Sequence, residues 1–336
     1  MNQTAVVILN WNGRHWLEQF LPKVIERSPN ARVIIADNGS SDDSESWTRT
    51  HAPQAEWLPL GDNHGYAEGY NRALQTLDGV DYAVLMNSDI EPLDGWLEPL
   101  VQRFDAEPQL GAIQPKIKDH KRPSHFEYAG AAGGYLDVLG YPFAAGRVFD
   151  HCEEDLGQYN QGDPTQPVFW ASGACLMVRL SAYWQAGGLD PKFFAHMEEI
   201  DLCWRMQLHG FLVEAHGHSE VLHVGGGTLN ALSPRKTFLN FRNSLLILVK
   251  NLPAWRAFPI VLMRLFLDGL AGIQFMFQGK PQHTWAIVRA HFAFYGMMTA
   301  FAVRPKAKKG WPQHGLYRGS IVWWRYALGR KVAPRV

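Results

Sequence analysis

Cysteines are scarce in this sequence of 336 residues, and it has neither an internal repeat nor a low-complexity segment. The three cysteines, Cys152, Cys175 and Cys203, are an odd number without the spacing of a metal site. This pattern favours reduced thiols, as in a cytosol, over a disulfide framework. The apolar fraction of 46% argues against a disordered chain and is ordinary for a globular protein.

Acidic residues are nearly absent from the last third of the chain. Residues 235–336 contain 17 Lys and Arg and one acid, Asp268, although the whole chain has 32 basic and 32 acidic residues. By difference, residues 1–234 hold 15 basic and 31 acidic residues, so the two parts carry formal charges near −16 and +16. This asymmetry predicts that the basic part meets an anionic partner, either nucleic acid or a membrane surface.

The sequence also lacks a long apolar run without charges, and its first 13 residues, MNQTAVVILNWNG, lack the features of a signal peptide. Residues 257–277 approach the roughly 20 apolar residues that cross a bilayer, but Arg264 and Asp268 lie near the centre. These two side chains are four residues apart and could pair on one helix face. We therefore expect an in-plane helix or one packed on the rest of the protein, and we interpret residues 284–303 in the same way.

The C-terminal segment 304–336 has nine Lys and Arg and no acid, with Trp311, Trp323 and Trp324 among them. Basic residues interleaved with tryptophan suit the interface of an anionic leaflet. A solvated surface that balances the acidic part is the alternative. Nucleic-acid binding is a third interpretation of the same charge, but no nucleic-acid-binding motif accompanies it.

Residues 1–234 have the pattern of an α/β domain. Short β-branched runs, TAVVIL at 4–9 and RVIIA at 32–36, flank a segment with helical apolar spacing. The alternation continues and predicts a mostly parallel sheet covered by helices. Further strands are predicted at 57–60, 81–86 and 168–179, helices near 67–77, 94–105 and 197–209, hairpins and loops over 120–167, and helices after Pro234.

Polar clusters follow two of these strands, where open α/β sheets bind ligands. Asp37 and Asn38 follow strand 32–36, so Asp37 could accept hydrogen bonds from a ribose or a base; an Asx-turn and helix cap is an equal alternative. Asn87-Ser88-Asp89 follows strand 81–86 and could present oxygen ligands to Mg²⁺ or Mn²⁺. Alone, such a short segment is usually a turn.

Two more clusters lie further along the chain. Glu198-Glu199-Ile200-Asp201 falls on a predicted helix, where adjacent acids cannot share one face, so we expect one of them to enter a cleft. That carboxylate could act as a general base, although an acidic first turn favoured by the helix dipole is the alternative. His223 follows a strand and precedes three glycines, which could belong to a closing loop; a lone histidine is more often structural.

Taken in order, these segments resemble glycosyltransferase family 2, with the GT-A fold, and most of all its bacterial rhamnosyltransferase-like members. The resemblance spans roughly residues 4–250. It is carried by VVILNWNG, IIADNGSSDDS, DNHGYAEGYNRAL, LMNSDIEP, ASGACLMVRLSAYWQAGGLDPKFFAHMEEIDLCWR and HVGGGT, and by an RN-containing helix at Asn240-Phe241-Arg242-Asn243.

The resemblance implies a role for each of these positions. Asp37 and Asn38, with Asn71 in DNHGYAEGYNRAL, would contact the nucleotide sugar. Asp89 matches the last carboxylate of the family's DxD motif and would bind metal and diphosphate. Asn87 stands where the first Asp of that motif often lies, so metal binding would depend on Asp89 and on His223, the histidine of the HxxGx(S/T) motif.

The same resemblance implies the chemistry. Glu199 occupies the position of the base that deprotonates the acceptor hydroxyl, with Glu198 as the alternative base. Trp170, Ser172 and Gly173 precede the base and are expected near the acceptor. The implied reaction is an inverting transfer from a UDP- or dTDP-type sugar to a glycan or lipid-linked acceptor, as in cell-surface polysaccharide synthesis.

We expect a catalytic domain over 1–234, with a nucleotide-sugar half at about 1–115 and an acceptor half at about 116–234. A helical, basic extension over 235–336 would associate with an anionic membrane, which predicts a cytoplasmic protein peripheral at the inner face of the plasma membrane. Two other functions compete with this interpretation. A sugar-1-phosphate nucleotidyltransferase should have a Gly-rich basic loop where this chain reads NWNGRHW, and a non-catalytic glycan-binding or scaffold relative would not need both the acidic cluster and His223.

Overall fold

The computed structural model describes residues 3–159, 162–225, 233–301, 312, 314–334 and 336. The strands in this part of the chain are β1 (Thr4–Asn10), β2 (Ala31–Asp37), β3 (Glu56–Pro59), β4 (Tyr82–Asn87), β5 (Ile90–Pro92), β6 (Leu110–Asp119), β7 (Arg122–Phe126), β8 (Gly134–Leu136), β9 (Pro142–Ala144), β10 (Arg147–Val148), β11 (His151–Cys152), β12 (Thr165–Pro167), β13 (Cys175–Arg179) and β14 (Leu212–His223).

The α-helices in the same residues are α1 (Arg14–Glu26), α2 (Ser44–His51), α3 (Gly65–Gln75), α4 (Glu98–Ala106), α5 (Leu180–Gln185), α6 (Glu198–Leu208), α7 (Pro234–Asn251), α8 (Ala254–Phe277) and α9 (Pro281–Phe301). Strands and helices alternate through the first half of the chain, as the apolar spacing predicts. The α/β prediction is confirmed.

The large sheet has the strand order β12-β14-β6-β13-β4-β1-β2-β3. In addition, β5 pairs with β14 and β7 pairs with β6. Strands β1, β2, β3 and β4 are parallel to their neighbours in this group. Their register places Asn10 beside Asp37 and Leu9 beside Asn87. The parallel arrangement therefore brings the polar residues that follow these strands to one edge of the sheet.

Strand β13 runs antiparallel between β4 and β6 and is shorter than predicted. It begins at Cys175, whereas the sequence predicts a strand from 168. The preceding residues leave the sheet because they bond elsewhere: Trp170 forms a bridge with Gly134, and the Ser172 amide donates to Gln114. The resulting loop runs past the end of β4, where the Asn87 amide donates to the Ala174 carbonyl at 3.0 Å.

The glycine-punctuated segment 120–167 forms short hairpins, as predicted. Strands β8, β9, β10 and β11 make a four-stranded antiparallel sheet, and β7 pairs with β6. The hairpin side chains Phe126 and Phe143 are fully buried in the main hydrophobic core. This small sheet forms a wall beside the carboxyl edge of the large sheet.

Helix α7 begins at the predicted domain boundary, yet its apolar side chains join the core of the preceding residues. Its end is fixed by charge: Lys250 Nζ lies 2.7 Å from Asp201 and 2.6 Å from Asp190. Asp201 is completely buried. A buried carboxylate needs such partners, so α7 and α6 depend on each other.

Helix α8 is 24 residues long, and by length and apolar composition it alone among the described helices could cross a membrane; 22% of its most apolar window is buried. Arg264 and Asp268 pair on one face, as predicted, with Nε and Oδ1 3.9 Å apart. Both side chains are buried. Arg264 also donates to the Ser244 hydroxyl, and Asp268 lies 3.2 Å from His291 of α9. One face of α8 therefore packs on the protein.

The described part of the basic C-terminal segment also packs on the N-terminal domain. The Ile321 amide donates to Asp137 at 2.9 Å, and the Ala333 amide donates to Glu153 at 2.8 Å. Trp323 is 64% exposed. Residues 304–311, including Trp311, lie outside the described residues, as do Gly226, Gly227 and Thr228 of the predicted closing loop.

Candidate active site

A cleft of about 600 Å³ lies between the carboxyl edge of the large sheet, the small sheet and α7. Eight of the residues predicted from the sequence line it: Asn87, Asp89, Trp170, Ser172, Gly173, Glu198, Glu199 and His223. Asp37, Asn38 and Asn71 lie outside its lining. The fold thus gathers residues from four distant stretches of the chain into one concave surface.

Asp37 and Asn38 lie at the end of β2 in a hydrogen-bonded turn. Asp37 accepts from the Asn10 side chain at 3.1 Å and from the Ser40 amide at 3.1 Å. The Asn38 side chain accepts from the His64 amide and donates to the Gly65 carbonyl. Asp37 thus bonds the backbone three residues ahead, one more than in an Asx-turn. An Asx-turn is present at Asp42, whose Oδ1 accepts from the Ser44 amide at 3.2 Å. Each carboxylate oxygen of Asp37 keeps a lone pair that is free to accept a hydrogen bond from another donor.

Asn71 has a different position from the other predicted residues. It is buried in α3, where its amide donates to the Leu189 carbonyl at 2.8 Å. Its oxygen accepts from the Tyr183 hydroxyl at 2.7 Å and from the Leu189 amide at 3.1 Å. The side chain therefore holds the segment that leads towards α6.

Asp89 and His223 meet across the β5–β14 pairing. Nε2 of His223 lies 3.2 Å from Asp89 Oδ1, and Nδ1 lies 3.0 Å from Glu127 Oε2. Burial opposes the charge on His223, but Glu127 and Asp89 together raise the pKa of His223 to about 10. Burial also opposes ionisation of Asp89, yet the hydrogen bond from His223 lowers the pKa of Asp89 below its usual value.

Glu198 and Glu199 both line the cleft, so the expectation that only one enters it is wrong. Six consecutive residues, 195–200, line the cleft, which means that the N-terminus of α6 faces it rather than one side of the helix. At the N-terminus of a helix, neighbouring side chains can face the same cleft, so the helical repeat does not place Glu198 and Glu199 on different sides. Asp201 alone of the acidic cluster turns away, to Arg205 and Lys250.

Both glutamates have a raised pKa. Within the described residues, Oε2 of each is buried without a hydrogen-bond partner. Burial raises the pKa of Glu199 to about 7, and burial together with the Glu199 charge raises the pKa of Glu198 well above its usual value. A carboxylate that titrates near neutrality is suited to general base catalysis.

The loop before α6 has a strained backbone. Phe194, His196 and Met197 have φ values of 70°, 69° and 75°, in the left-handed region that favours glycine. Such residues cost on the order of 1–3 kcal/mol each and cluster at functional sites. Burial and the Lys236 charge lower the pKa of His196 to about 4, so this cleft residue is neutral.

Asn243 of α7 holds this loop in place. Its side-chain amide lies 3.0, 2.9 and 2.8 Å from the carbonyl oxygens of Phe193, Ala195 and His196. The adjacent Arg242 also donates to the Phe193 carbonyl, at 2.9 Å. The RN-containing helix thus fixes the conformation that presents Glu198 and Glu199.

The loop before β13 forms a rigid wall of the cleft. Trp170 is 2% exposed, and its indole N–H donates to the Tyr135 carbonyl at 3.1 Å. The Ser172 hydroxyl bonds to the backbone of Ala129 and Ala174. Gly173 accepts from the Tyr66 hydroxyl at 2.6 Å, and a Cβ at position 173 would lie 2.8 Å from that oxygen, so a larger residue would displace Tyr66.

A metal ion would find few ligands from the protein alone. No group of three or more His, Cys, Asp and Glu side chains with metal-binding geometry occurs among the described residues. Asp89 and His223 nevertheless fit a Mg²⁺ or Mn²⁺ site that is completed by substrate phosphates, because such ions commonly use one or two protein ligands. Glu127 would orient His223 from its other ring nitrogen, as carboxylates do at metal sites.

Sequence reasoning missed Glu127, His196 and Asn243 as parts of this site. The sequence identified Asn243 only as part of the RN-containing helix and did not predict what its side chain contacts. Glu127 lies in a loop-rich stretch and has no motif around it, and nothing in a single sequence marks His196. Each acquires its place through contacts across more than 40 residues of chain.

Comparisons with known proteins agree with this architecture. A family model described as "Glycosyl transferase family 2" matches residues 5–183. The chain is 30% identical, over 239 residues, to the N-acetylglucosaminyl-diphospho-decaprenol L-rhamnosyltransferase of Mycobacterium tuberculosis, a match that covers 65% of this chain and 75% of the relative. It is also 23% identical, over 208 residues, to the low-salt glycan biosynthesis hexosyltransferase Agl10 of Haloferax volcanii. That match covers 61% of this chain and 62% of the relative.

Solved structures show the same fold. The crystal structure of GalNAc-T7 with UDP, GalNAc and Mn²⁺ has a TM-score of 0.59 at 12% identity, covering 90% of this chain and 58% of that one. The mannosyltransferase PcManGT from Pyrobaculum calidifontis, in complex with GDP-Man and Mn²⁺, has a TM-score of 0.52 at 15% identity, covering 88% and 87%. The predicted GT-A fold is confirmed.

Proposed function

The chain belongs to glycosyltransferase family 2, and we propose that it moves a sugar from a UDP- or dTDP-type donor to a hydroxyl of a lipid-linked glycan, with inversion. One observation carries this proposal: the buried glutamates at the start of α6 face the same cleft as Asp89 and His223. A single in-line displacement requires a base and a diphosphate anchor within one cleft.

The donor would lie along the carboxyl edge of the parallel strands. Asp37 and Asn38 at the end of β2 would contact the base or ribose, beside Asn87 and Asp89 at the end of β4. Asp37 keeps free lone pairs beyond its two hydrogen bonds, which supports this role. Asn71 would act indirectly, because its amide is already bonded to Leu189 and Tyr183.

A divalent metal cation, Mg²⁺ or Mn²⁺, would be held by Asp89 and His223 together with the donor's diphosphate. When bound, the ion supplies positive charge that stabilises the departing nucleoside diphosphate. His223 binds a metal only as the neutral imidazole, so it would lose its Nε2 proton on loading. The contact between Nδ1 and Glu127 would then keep the ring in place.

Glu199 would act as the general base. Its carboxylate would accept the proton of the acceptor hydroxyl as that oxygen bonds to the anomeric carbon and the bond to the diphosphate oxygen breaks. The pKa of about 7 favours Glu199 over Glu198, because burial and the Glu199 charge raise the pKa of Glu198 well above its usual value. Trp170, Ser172 and Gly173 would shape the acceptor side of the cleft rather than donate hydrogen bonds to it.

The acceptor proposal rests on a relative whose name gives a diphospho-decaprenol substrate and on the exposed face of α8 and α9. Large apolar side chains that are 48% or more exposed form this face: Trp255, Phe258, Leu262, Met263, Phe266, Leu270, Ile273, Met276, Phe277, Trp285, Phe292 and Tyr295. We define these twelve residues as the apolar face. Asp268 is the single acid in residues 235–336 and is buried, so the charged side chains that this segment exposes are all basic.

We propose that the apolar face lies on an anionic membrane, which would make the protein peripheral at the cytoplasmic side of the plasma membrane. Phe258→Ser with Phe266→Ser should reduce flotation with vesicles containing phosphatidylglycerol, whereas Leu156→Ser, at an exposed leucine outside α8 and α9, should not. Equal flotation of both variants would contradict this placement. Deleting residues 304–336 is a poor test, because it also removes the contacts of Ile321 and Ala333.

Donor binding tests the function directly. Thermal shift with a panel of nucleotide sugars should show stabilisation by a UDP or dTDP sugar only with Mg²⁺ or Mn²⁺ present, and Asp89→Ala should abolish it. Metal-independent binding that survives Asp89→Ala would contradict the metal assignment. Absence of stabilisation by every nucleotide sugar would contradict the proposed function.

A further inference from the structure

Two cations in the cleft have no role in the chemistry described above. Arg147 lies on β10 of the small sheet, and Lys236 lies in the first turn of α7; both line the cleft. The Arg147 guanidinium carbon lies 4.6 Å, and the Lys236 ammonium 5.8 Å, from the centre of the Tyr128 ring. They therefore approach one aromatic side chain from two different elements.

Neither cation is neutralised by an ion pair. In residues 3–159, 162–225 and the described C-terminal part, no carboxylate lies within 4.0 Å of either one. Arg147 is 6% exposed, and its Nε is buried without a hydrogen-bond partner among these residues; NH1 donates to the Phe149 carbonyl at 3.3 Å. Buried charges are ordinarily paired, so this arrangement indicates a missing anion.

A third cation in the cleft, Arg264, provides a contrast. Arg264 donates to Ser244 and to the carbonyls of Leu139 and Gly140, and it stacks 3.7 Å above the Tyr141 ring. Its terminal nitrogens hold α8 on the protein, and its charge is paired with Asp268, whose Oδ1 lies 3.9 Å from Nε. Arg147 and Lys236 have no comparable network, which leaves their donors for a ligand.

We propose that Arg147 and Lys236 form a subsite for the diphosphate of the lipid-linked acceptor, a proposal that rests on the proposed function. Their neighbours lead to the apolar face. Thr237, next to Lys236, bonds to His283, which stacks on the cleft residue Phe275 of α8. An acceptor with its diphosphate on the two cations could place its sugar towards Glu199 and its lipid along Phe275.

The same cations could instead serve the donor's diphosphate, since both sources present the same chemistry. Position favours the acceptor. Arg147 and Lys236 lie over the Tyr128 ring and belong to the small sheet and α7, whereas the proposed donor residues lie at the carboxyl ends of β2 and β4 and at the end of β14. The experiment separates the two sources by occupying the donor site first.

Binding of farnesyl diphosphate, measured with saturating UDP or dTDP and Mn²⁺, tests the subsite without any turnover. Wild-type protein should bind this probe more tightly than farnesol. Arg147→Gln and Lys236→Gln should each weaken binding about 10-fold or more, the loss expected for one charge-assisted hydrogen bond. Arg49→Gln removes an exposed arginine on α2 and should leave the affinity unchanged.

Three results would overturn the proposal. The first is wild-type protein that does not distinguish farnesyl diphosphate from farnesol. The second is unchanged probe affinity in Lys236→Gln, a partly buried position where folding is less at risk than at the buried Arg147. The third is loss of UDP and dTDP affinity in the two variants with probe binding intact, which would assign the cations to the donor. Failure of the proposed function has a separate signature: wild-type protein that binds the probe but no nucleotide sugar.

Discussion

Replacing Glu199 with Gln should make the protein more stable at alkaline pH while abolishing transfer. Glu199 is partly buried at the start of α6, and one of its carboxylate oxygens is fully buried without a hydrogen-bond partner among the described residues. The folded structure therefore disfavours the charged form, and burial raises the pKa from the ordinary 4.5 to about 7. Glutamine fills the same volume and cannot ionise.

The sign of the stability effect follows from proton binding. Between pH 4.5 and 7 the folded protein holds the Glu199 proton and the unfolded chain releases it, so stability falls as the pH rises through this range. At about 1.4 kcal/mol for each pH unit, the charge costs about 3 kcal/mol above pH 7. Glu199→Gln removes that cost at pH 8 and changes nothing at pH 4.

Thermal unfolding at the two pH values measures this difference. For a chain of this length, about 3 kcal/mol corresponds to a rise in Tm of about 4 °C. Transfer should fall by about 10²- to 10⁴-fold, the usual contribution of a general base, while nucleotide binding stays intact. In the wild type, kcat/KM should fall about tenfold for each pH unit below 7.

Glu198→Gln is the matched control, because it removes the neighbouring carboxyl from the same helix turn. It should retain most of the transfer activity and the acid limb of the pH profile. Loss of transfer in Glu198→Gln with retention in Glu199→Gln would move the base by one residue. A lower Tm for Glu199→Gln at pH 8 would refute the reasoning, since it would mean that the charge is stabilised in the fold.

Two further predictions concern the support of α6. Asn243→Ala removes the hydrogen bonds to the strained loop and should lower kcat with little change in the donor KM, at a stability cost of about 2 kcal/mol. Asn30→Ala, at an exposed asparagine outside the cleft, is the control. An equal loss in both would contradict a specific role. Asp201→Ala leaves Lys250 without its buried partner and should lower the free energy of unfolding, measured in urea, by about 3–5 kcal/mol. The control Glu45→Ala, at an exposed ion pair, should change the free energy of unfolding little.

Much of the first half of the fold could be predicted from local sequence. Strands β1, β2 and β4 are short β-branched runs that end in polar turns, and the predicted bounds differ from the observed ones by about one residue. Their polar ends were predicted to converge because parallel strands share a carboxyl edge. This reasoning was sound for Asn87 and Asp89, which line the cleft.

Reasoning by helical periodicity failed at Glu198 and Glu199. It assumes that a helix presents one side to a cleft, whereas α6 presents its N-terminus after a left-handed Met197. Periodicity also could not find Glu127, whose contact with His223 joins a loop to a strand almost 100 residues later. Contacts of this kind depend on the packing of whole elements, which local patterns do not encode.

The sequence by itself determined the α/β class, the order of the motifs that carry the family resemblance, and the charge difference between the two parts of the chain. Only the tertiary structure decided which carboxylates share the cleft, because burial and neighbouring charges depend on contacts that form after the elements pack. The same is true of the segment Asn87-Ser88-Asp89. Its residues are fixed by sequence, but the link from Asp89 through His223 to Glu127 exists only where β5 meets β14 beside the small sheet.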